Sequence, residues 1–142
     1  MDSRTEHGAR GRITTHVLDT GTGRPAAGLP LRLLRREPSG WVELGRFRTD
    51  ADGRCAAPLL EGEALQAGCY EILFEVSAWR DVHPGEPGHA HAAGDAEAPS
   101  AASFGRGFYD TIPIRFRVTD PGAHHHVPLI LAPFGYSTYR GS

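Results

Sequence analysis

Histidine and arginine side chains in the first half of the chain are of types suited to acid-base and anion chemistry. His16 lies in the segment Ile13-Thr-Thr-His-Val-Leu-Asp19, and Arg54 directly follows Thr49-Asp-Ala-Asp-Gly53. An imidazole titrates near neutral pH and can take up or release a proton. A guanidinium presents a rigid fork of donors to carbonyl oxygens or to an anion. Taken alone, each residue has a simpler interpretation, since a single strand histidine is usually structural and an arginine after a turn is usually solvated.

A third segment adds three adjacent histidines and an unusual chain end. It reads His124-His-His-Val-Pro-Leu-Ile-Leu131 and is followed by Phe134-Gly-Tyr-Ser-Thr-Tyr-Arg-Gly-Ser142. In a strand, alternation places His124 and His126 on one face and His125 on the opposite face. Chain ends usually fray and tolerate loose composition. A segment rich in tyrosine and arginine directly after an apolar strand therefore predicts an end that is docked and has a function.

The elements that must position these residues are mainly strands, because apolar residues recur at every second position wherever the pattern is strong. The alternation is clearest over residues 70–76 and 112–118, where most residues of the other face are charged. Further strands are predicted between turns rich in Gly, Pro or Asp. These strands span residues 13–18, 29–34, 41–49 and 127–131.

Glycine and proline positions predict two turns and one irregular strand. Residues 19–25 contain glycines that accept positive φ and a proline that fixes φ, so they predict a tight connection. Residues 50–53, Asp-Ala-Asp-Gly, predict a second turn. Pro128 removes one donor from the hydrogen bonds of an apolar strand, which predicts an edge position or a bulge.

One short helix and one long loop complete the predicted fold. The helix spans residues 77–83, with Ser77 as its N-cap and Pro84 as its stop. Residues 84–107 bury too little apolar surface to offset their ordering entropy and are predicted to form a mobile loop. Seven or eight short strands separated by such turns favour an all-β, two-sheet β-sandwich. A flexible N-terminal segment, 1–12, is predicted to precede a single domain, 13–142.

Length and charge exclude several classes of protein. A chain of 142 residues buries one hydrophobic core and favours a single domain. A formal net charge of -2 implies neither a nucleic-acid partner nor a strongly acidic surface that would attract cations. The first twelve residues lack the apolar region of a secretory signal, and no apolar run reaches the roughly 20 residues that span a bilayer. A cytoplasmic location is therefore expected. Cys55 and Cys69 are expected to be buried thiols, although a disulfide between them is an open alternative.

Eight histidines also raise the alternative of a metal site. His89 and His91, and the run from His124 to His126, offer imidazoles of the kind that zinc or nickel binds. Their spacing matches no defined ligand motif, and carboxylates or cysteines are missing nearby in sequence. The prediction is therefore a site without a metal ion or a cofactor, with adventitious metal binding by the histidines.

The three segments, in this order and at this spacing, resemble the 5-hydroxyisourate hydrolases, the enzyme branch of the transthyretin-like family. The resemblance covers residues 13–142, and its most specific mark is the tetrapeptide Tyr139-Arg140-Gly141-Ser142. It implies a transthyretin-like sandwich of two four-stranded sheets with one short helix. It also implies a homotetramer with active sites in the channel between dimers, and a small-molecule substrate.

The resemblance further implies catalytic roles for His16, Arg54 and His126. The implied reaction opens a cyclic, amide-like C–N bond of 5-hydroxyisourate and yields 2-oxo-4-hydroxy-4-carboxy-5-ureidoimidazoline in urate degradation. Such a reaction requires an activated water, stabilisation of an oxyanion and a fixed planar ring. The two histidines are expected to activate water, in an order that the sequence leaves open, while Arg54 orients the substrate and stabilises charge. The tetrapeptide is expected to bind substrate, with Arg140 either contacting it or anchoring the terminus through an ion pair.

The sequence departs from the family pattern at two places, and two rival functions are open. Residues 80–109 are longer than the corresponding family segment, and His125 stands where a tyrosine is common; the change at His125 is expected to affect packing only. The first rival is a transthyretin-like carrier that binds a small hydrophobic ligand without turnover, although such carriers lack the histidines, the arginine and the tetrapeptide. The second is a histidine-rich metal-binding module, which the composition of the loop weakly favours.

Overall fold

The computed structural model describes residues 11–82 and 107–142. Residues 83–106 lie outside this part, and with them His89, His91, Pro84 and nearly all of the predicted loop. The described residues form nine strands, one α-helix, α1 (Val76–Val82), and one 3-10 helix (Gly62–Ala64). The strands are β1 (Arg12–Asp19), β2 (Arg24–Pro25), β3 (Pro30–Glu37), β4 (Gly40–Arg48), β5 (Leu60–Glu61), β6 (Gly68–Glu75), β7 (Thr111–Val118), β8 (His124–Leu131) and β9 (Tyr136–Thr138).

The strands form two sheets. The first, here called the site sheet, has the order β2-β1-β8-β9, and β5 also pairs with β1. The second sheet has the order β4-β3-β6-β7. β1 and β8 run parallel over their whole length, whereas the other strand pairs in the described residues are antiparallel. The segments that contain His16 and His126 are therefore neighbours at the centre of the site sheet.

Side chains that point inward from both sheets form one core. In β1, burial alternates from residue to residue, so that Ile13 and Val17 are fully buried while Thr14, His16 and Leu18 are half-buried on the outer face. This alternation confirms the predicted period of two. The largest fully buried side chains of the two sheets are Tyr70, Phe74, Ile13, Leu31, Leu33, Ile72, Ile112, Leu129, Leu131 and Val17.

The predicted all-β sandwich with one short helix is confirmed. Each of the six predicted strands is present, with ends that differ from the predicted ones by at most three residues. Without the two-residue strands β2 and β5, seven of the nine strands remain, which agrees with the predicted seven or eight. The predicted flexible segment 1–12 overlaps β1, which begins at Arg12, and residues 1–10 lie outside the described part of the chain.

The predicted start of the helix is wrong by one residue. Val76, predicted to end a strand, begins α1, so Ser77 lies inside the helix and is not its N-cap. The side chain of Val76 is fully buried. A buried apolar residue at a boundary fits the last position of an alternating strand and the first position of an amphipathic helix equally well.

The prediction that Pro128 marks an edge position or a bulge is also wrong, because the pairings of β8 with β1 and β9 show no register shift and β8 is not an edge strand. β8 lies between β1 and β9 in the interior of the site sheet. Its pairing with β9 covers Leu129 to Leu131 and resumes at a single bridge between His126 and Gly141. Between these two points the carbonyl of Pro128 accepts a hydrogen bond from the Thr138 hydroxyl at 2.8 Å. The missing donor of Pro128 therefore interrupts the pairing of β8 with the C-terminal segment, while β8 keeps its interior position.

Both predicted turns are present, and the cysteines are not paired. In the first turn, the amide of Gly23 donates to the carbonyl of Asp19 at 2.8 Å, and Gly23 has a φ of 76°. Cys55 and Cys69 are free thiols that are half-buried. Burial raises the pKa of Cys55 to about 11, which keeps this thiol protonated. None of the helices in residues 11–82 and 107–142 has the length and apolar character needed to cross a membrane.

Candidate active site

The register of β1 and β8 brings the two histidine segments together. In this parallel pairing, Thr14 lies opposite His126 and His16 lies opposite Pro128. Because alternate residues face the same side of a strand, Thr14, His16, His124 and His126 share the outer face of the site sheet. His125 points to the opposite face and is only 4% exposed. The predicted faces of the three adjacent histidines are therefore confirmed.

The turn at residues 50–53 fixes the backbone of Arg54. The amide of Asp50 donates to the carbonyl of Arg54 at 2.6 Å, and the amide of Gly53 donates to the carbonyl of Asp50 at 2.9 Å. One carboxylate oxygen of Asp50 accepts from the amides of Asp52 at 2.8 Å and Arg54 at 3.1 Å. Short backbone and side-chain hydrogen bonds thus hold the turn closed, so that Arg54 leaves it in a defined direction.

Gly53 allows this turn to pack directly on β1. The residue has a φ of 76°, and its carbonyl accepts a hydrogen bond from the amide of Val17 at 2.9 Å. A Cβ at Gly53 would lie 2.5 Å from the carbonyl oxygen of Val17. Arg54 then forms an antiparallel bridge with His16. The structure therefore places the predicted residues His16 and Arg54 side by side.

The C-terminal tetrapeptide docks beside His126. The amide of Gly141 donates to the carbonyl of His126 at 2.8 Å, and a Cβ at Gly141 would lie 2.5 Å from Cδ2 of the His126 ring. The guanidinium of Arg140 donates to the carbonyl of His124 at 3.2 Å. This hydrogen bond anchors the terminal segment on a backbone carbonyl, and the expected contact of Arg140 with substrate stays a prediction. Tyr139 is 59% exposed and Ser142 is also exposed, so their expected contacts with substrate stay predictions.

A threonine hydroxyl links the two outer histidines of β8. Oγ1 of Thr14 lies 2.7 Å from Nε2 of His124 and 2.8 Å from Nδ1 of His126. The two imidazole centroids are 6.0 Å apart, and the ring planes are tilted by 51°. The rings are therefore connected through the hydroxyl and are not stacked on each other.

Burial and neighbouring positive charge lower the pKa of each outer-face histidine. For His16, burial and then the Arg54 cation lower the pKa, while a hydrogen bond that the imidazole donates to the backbone carbonyl of Asp52 and the carboxylates of Asp52 and Asp50 oppose this shift. For His126, burial lowers the pKa most, followed by His124, Arg54 and His16. The positive charge of Arg54 therefore acts on both imidazoles.

These shifts define what the site can do chemically. Because the pKa values of both rings lie below 6.5, His16 and His126 are neutral at neutral pH and can each accept a proton. The exposed guanidinium of Arg54 beside them can bind a carbonyl oxygen as it becomes an anion. A base next to an oxyanion-stabilising cation is the arrangement required for attack of water on a carbonyl.

The histidine-rich metal site receives no support from this arrangement. Within residues 11–82 and 107–142, no group of three or more His, Cys, Asp or Glu side chains is placed to hold a metal ion. The hydrogen bonds of His124 and His126 to Thr14 occupy one nitrogen of each ring. The absence of a metal ion from the reaction stays a prediction, which chelation can test.

Comparison with known proteins identifies the family. The model of the HIUase/Transthyretin family matches residues 13–141, which is nearly the whole chain. The chain belongs to the HIUase/Transthyretin family. The extent of this match agrees with the range 13–142 that the sequence motifs had suggested.

Individual members of the HIUase/Transthyretin family are similar over almost the same range. The 5-hydroxyisourate hydrolase of Ralstonia nicotianae is 46% identical over 132 residues, which cover 93% of this chain and 99% of that protein. The structure of Klebsiella pneumoniae 5-hydroxyisourate hydrolase is 31% identical with a TM-score of 0.64, covering 93% of this chain and 94% of that one. The crystal structure of an (S)-allantoin synthase is 35% identical with a TM-score of 0.73. That comparison covers 94% of this chain, which spans less than half, 44%, of the synthase.

Two residues that shape the site of this HIUase/Transthyretin family member were not predicted as parts of it. Thr14 lies two residues before His16 in the same segment, but its contact with two histidines depends on the register of β1 and β8. Asp50 was recognised as a turn residue only, whereas its carboxylate holds the amide of Arg54. An Asp at the first position of a turn is a known signal for such side-chain-to-backbone bonds, so the role of Asp50 could have been predicted.

Proposed function

We propose that this protein hydrolyses 5-hydroxyisourate to 2-oxo-4-hydroxy-4-carboxy-5-ureidoimidazoline in urate degradation. The observation that carries the proposal is the meeting of three distant segments on the outer face of the site sheet. His16 is bridged to Arg54, and His126 is bridged to Gly141 of the tetrapeptide. Relatives named 5-hydroxyisourate hydrolase that cover 93% of the chain support the same substrate.

In the proposed reaction, a neutral imidazole of His16 or His126 removes a proton from water. The hydroxide forms a C–O bond to the ring carbonyl, and the carbonyl electrons move to oxygen, where Arg54 stabilises the negative charge. When the carbonyl re-forms, the C–N bond breaks, and the departing nitrogen takes a proton from the imidazolium. Loss of the carboxylic acid proton to solvent completes a balanced hydrolysis that restores the neutral histidine.

The assay uses 5-hydroxyisourate prepared freshly with urate oxidase, whose absorbance decay is followed with and without protein. We expect decay far above the spontaneous rate that EDTA does not change. Loss of most of this activity is expected in His16→Ala, Arg54→Ala, His126→Ala and a variant that lacks residues 139–142. Spontaneous decay in the presence of folded protein would overturn the hydrolase proposal, and saturable binding of substrate without turnover would favour a carrier. Sensitivity to EDTA would indicate a metal site.

We also infer a homotetramer in which the outer faces of two site sheets line a shared channel. Large apolar side chains are exposed on and beside β9, including Phe134 at 72% and Tyr136 at 38%. Burial of such side chains between copies of the chain would gain about 25 cal/mol per Å² of apolar surface. A second copy would also enclose Arg54, which is exposed in the single chain. Light scattering is expected to give the mass of four chains, and a stable, active monomer would contradict the channel.

A cytoplasmic location completes the proposal. Fractionation of the producing cell, with activity followed in each fraction, tests it directly. Activity confined to an extracytoplasmic fraction would contradict it.

A further inference from the structure

The hydroxyl of Thr14 occupies a position that the proposed reaction does not use. It lies 2.7 Å from Nε2 of His124 and 2.8 Å from Nδ1 of His126, both short distances for hydrogen bonds. Thr14 is on β1 and the two histidines are on β8, so the contact depends on the parallel pairing of these strands. The hydroxyl therefore connects the candidate base His126 to a second imidazole that has no assigned role.

A hydroxyl has one proton to donate, so these two hydrogen bonds cannot be independent. If Thr14 donates to Nε2 of His124, it accepts from Nδ1–H of His126, and Nε2 of His126 then carries a free lone pair. If Thr14 donates to Nδ1 of His126, it accepts from Nε2–H of His124, and Nε2 of His126 then carries the proton. The state of His124 thus determines whether His126 presents a base or an acid at Nε2.

We propose that Thr14 and His124 form a proton relay that sets the tautomer of His126 and shares the proton that His126 takes up. The inference rests on the proposed hydrolase function. When Nε2 of His126 gains a proton from water, Nδ1 passes its proton to Oγ1 of Thr14, and Oγ1 passes its own to Nε2 of His124. One N–H bond and one O–H bond break, and one O–H bond and one N–H bond form along the relay. The positive charge then resides on His124, and the reverse shift returns the proton for release to the leaving nitrogen.

Cations and other imidazoles lie near both rings. His124 is approached by Arg12 of β1, by His125, and by Arg140 of the terminal segment, while His126 is approached by Arg54 of the turn and by His16. The arginine cations disfavour a positive charge on either ring. Sharing one proton among the two imidazoles and the hydroxyl lowers the free energy that is needed to protonate His126 during the reaction. In this scheme Thr14 and His124 are positioning residues, because they act on substrate only through His126.

Four variants separate a relay from a merely structural contact. Thr14→Val keeps the shape of the side chain without the hydroxyl, and Thr14→Ser restores the hydroxyl. His124→Gln can still hydrogen-bond to Thr14 but cannot carry the proton onward. The matched control is Thr20→Val, because the Thr20 hydroxyl also donates from the end of β1 to β8, at 2.8 Å, but to the carbonyl of Leu131.

The kinetic measurement is the pH dependence of kcat and KM in the absorbance assay. We expect Thr14→Val and His124→Gln each to lower kcat by at least about 10-fold with KM within about 2-fold, and to change the acidic limb of the profile. Thr14→Ser should restore most of the activity, and Thr20→Val should match the wild type. Wild-type activity in His124→Gln would overturn the relay, even if Thr14→Val is impaired.

The second measurement needs no substrate and therefore does not depend on the hydrolase proposal. Side-chain 15N NMR of the full chain labelled at histidine reports the tautomer and protonation of each ring, with His126 assigned through His126→Gln. In the wild type, the His126 signals should change at the pH at which His124 titrates, and this coupling should disappear in Thr14→Val but persist in Thr14→Ser. Uncoupled titration of the two rings in the wild-type protein would overturn the relay. Coupled titration in a protein without hydrolase activity would support the relay while the proposed function fails.

Discussion

Gly141 lies against the imidazole of His126 so closely that a Cβ at Gly141 would stand 2.5 Å from Cδ2 of that ring. The same glycine donates its amide to the carbonyl of His126 at 2.8 Å. Position 141 therefore requires glycine, because a side chain there would collide with the ring of the candidate base His126. The contact also explains how a tetrapeptide at the end of the chain can influence a histidine on β8.

For this reason we expect Gly141→Ala to impair the enzyme through displacement of His126 or of the terminal segment. Displacement of a catalytic group by about 1 Å can cost roughly 100-fold in rate, and a loss of this order is expected in kcat/KM. Gly135→Ala is the matched control, because no atom lies within 4 Å of the Cβ it would add. Equal activity of the two variants would contradict the close contact.

Gly53 and Gly62 provide a second matched pair. Both have positive φ, 76° and 69°, so an alanine at either position pays a similar backbone strain of roughly 1–2 kcal/mol. Only at Gly53 would the added Cβ meet another atom, the Val17 carbonyl oxygen at 2.5 Å. We expect Gly53→Ala to lose more stability in urea unfolding than Gly62→Ala, and most of the hydrolase activity because Arg54 moves. Indistinguishable unfolding curves would show that the turn does not need to pack on Val17.

The dependence of activity on pH follows from the lowered pKa values of His16 and His126. In the proposed reaction a neutral ring is the base, so kcat/KM should be constant near neutral pH and fall as the pH drops through the lowered pKa values. Arg54→Gln removes a cation that lowers both values. The acidic limb should therefore move to higher pH, in addition to the loss of rate.

The control for this charge effect is Arg36→Gln. Arg36 lies on β3 of the second sheet and faces the ring of Trp41, with its guanidinium carbon 5.8 Å from the ring centroid. Its removal should leave the acidic limb of the profile unchanged. Histidine NMR titrations of the same variants measure the pKa of each ring directly. Unchanged titration of His16 and His126 in Arg54→Gln would contradict the assigned electrostatic effect.

Thr49 stabilises the base of the turn that carries Arg54. Its buried hydroxyl donates to the carbonyl of Ala26 at 2.6 Å and accepts from the amide of Leu29 at 2.8 Å. Thr49→Val removes the hydroxyl and leaves both backbone groups without this partner, which should lower the free energy of unfolding by about 1–3 kcal/mol. Chemical denaturation measures the loss. Thr111→Val, at an exposed strand position, should change stability far less, and a similar loss in both would contradict the role of the Thr49 hydroxyl.

Most of the fold was predictable because its main strands carry a clear alternation of buried and exposed residues. In β7, more buried and exposed positions alternate from Thr111 to Val118, and the exposed positions are Thr111, Pro113, Arg115 and Arg117. β2 and β5 contain two residues each, too few for any period to appear. The three residues of β9 are all exposed, so no alternation of buried and exposed residues marked this strand. β2, β5 and β9 are strands because each pairs with a neighbouring strand, and their own sequences do not identify them.

The candidate site was predictable in its residue types but not in its connections. His16, Arg54 and His126 were selected through the resemblance to a family, and the structure brings them together on one face. The bridge from Thr14 to His124 and His126 could not be inferred, because no local signal specifies that β1 pairs in parallel with β8. The role of Arg140 was left open between two alternatives, since side-chain direction at an irregular terminus follows no simple period.

The parallel ladder of β1 and β8 also has a consequence for the order of folding. Thr14 and His126 are separated by 112 residues in sequence, whereas β3 and β4 are joined by a short hairpin. Closing a long loop costs more chain entropy than forming a hairpin, so contacts of high contact order form late. The hairpin of the second sheet can therefore assemble while His16 and His126 are still far apart. Hydrolase activity then requires that β1 and β8 have paired, and intermediates with much native sheet are expected to be catalytically silent.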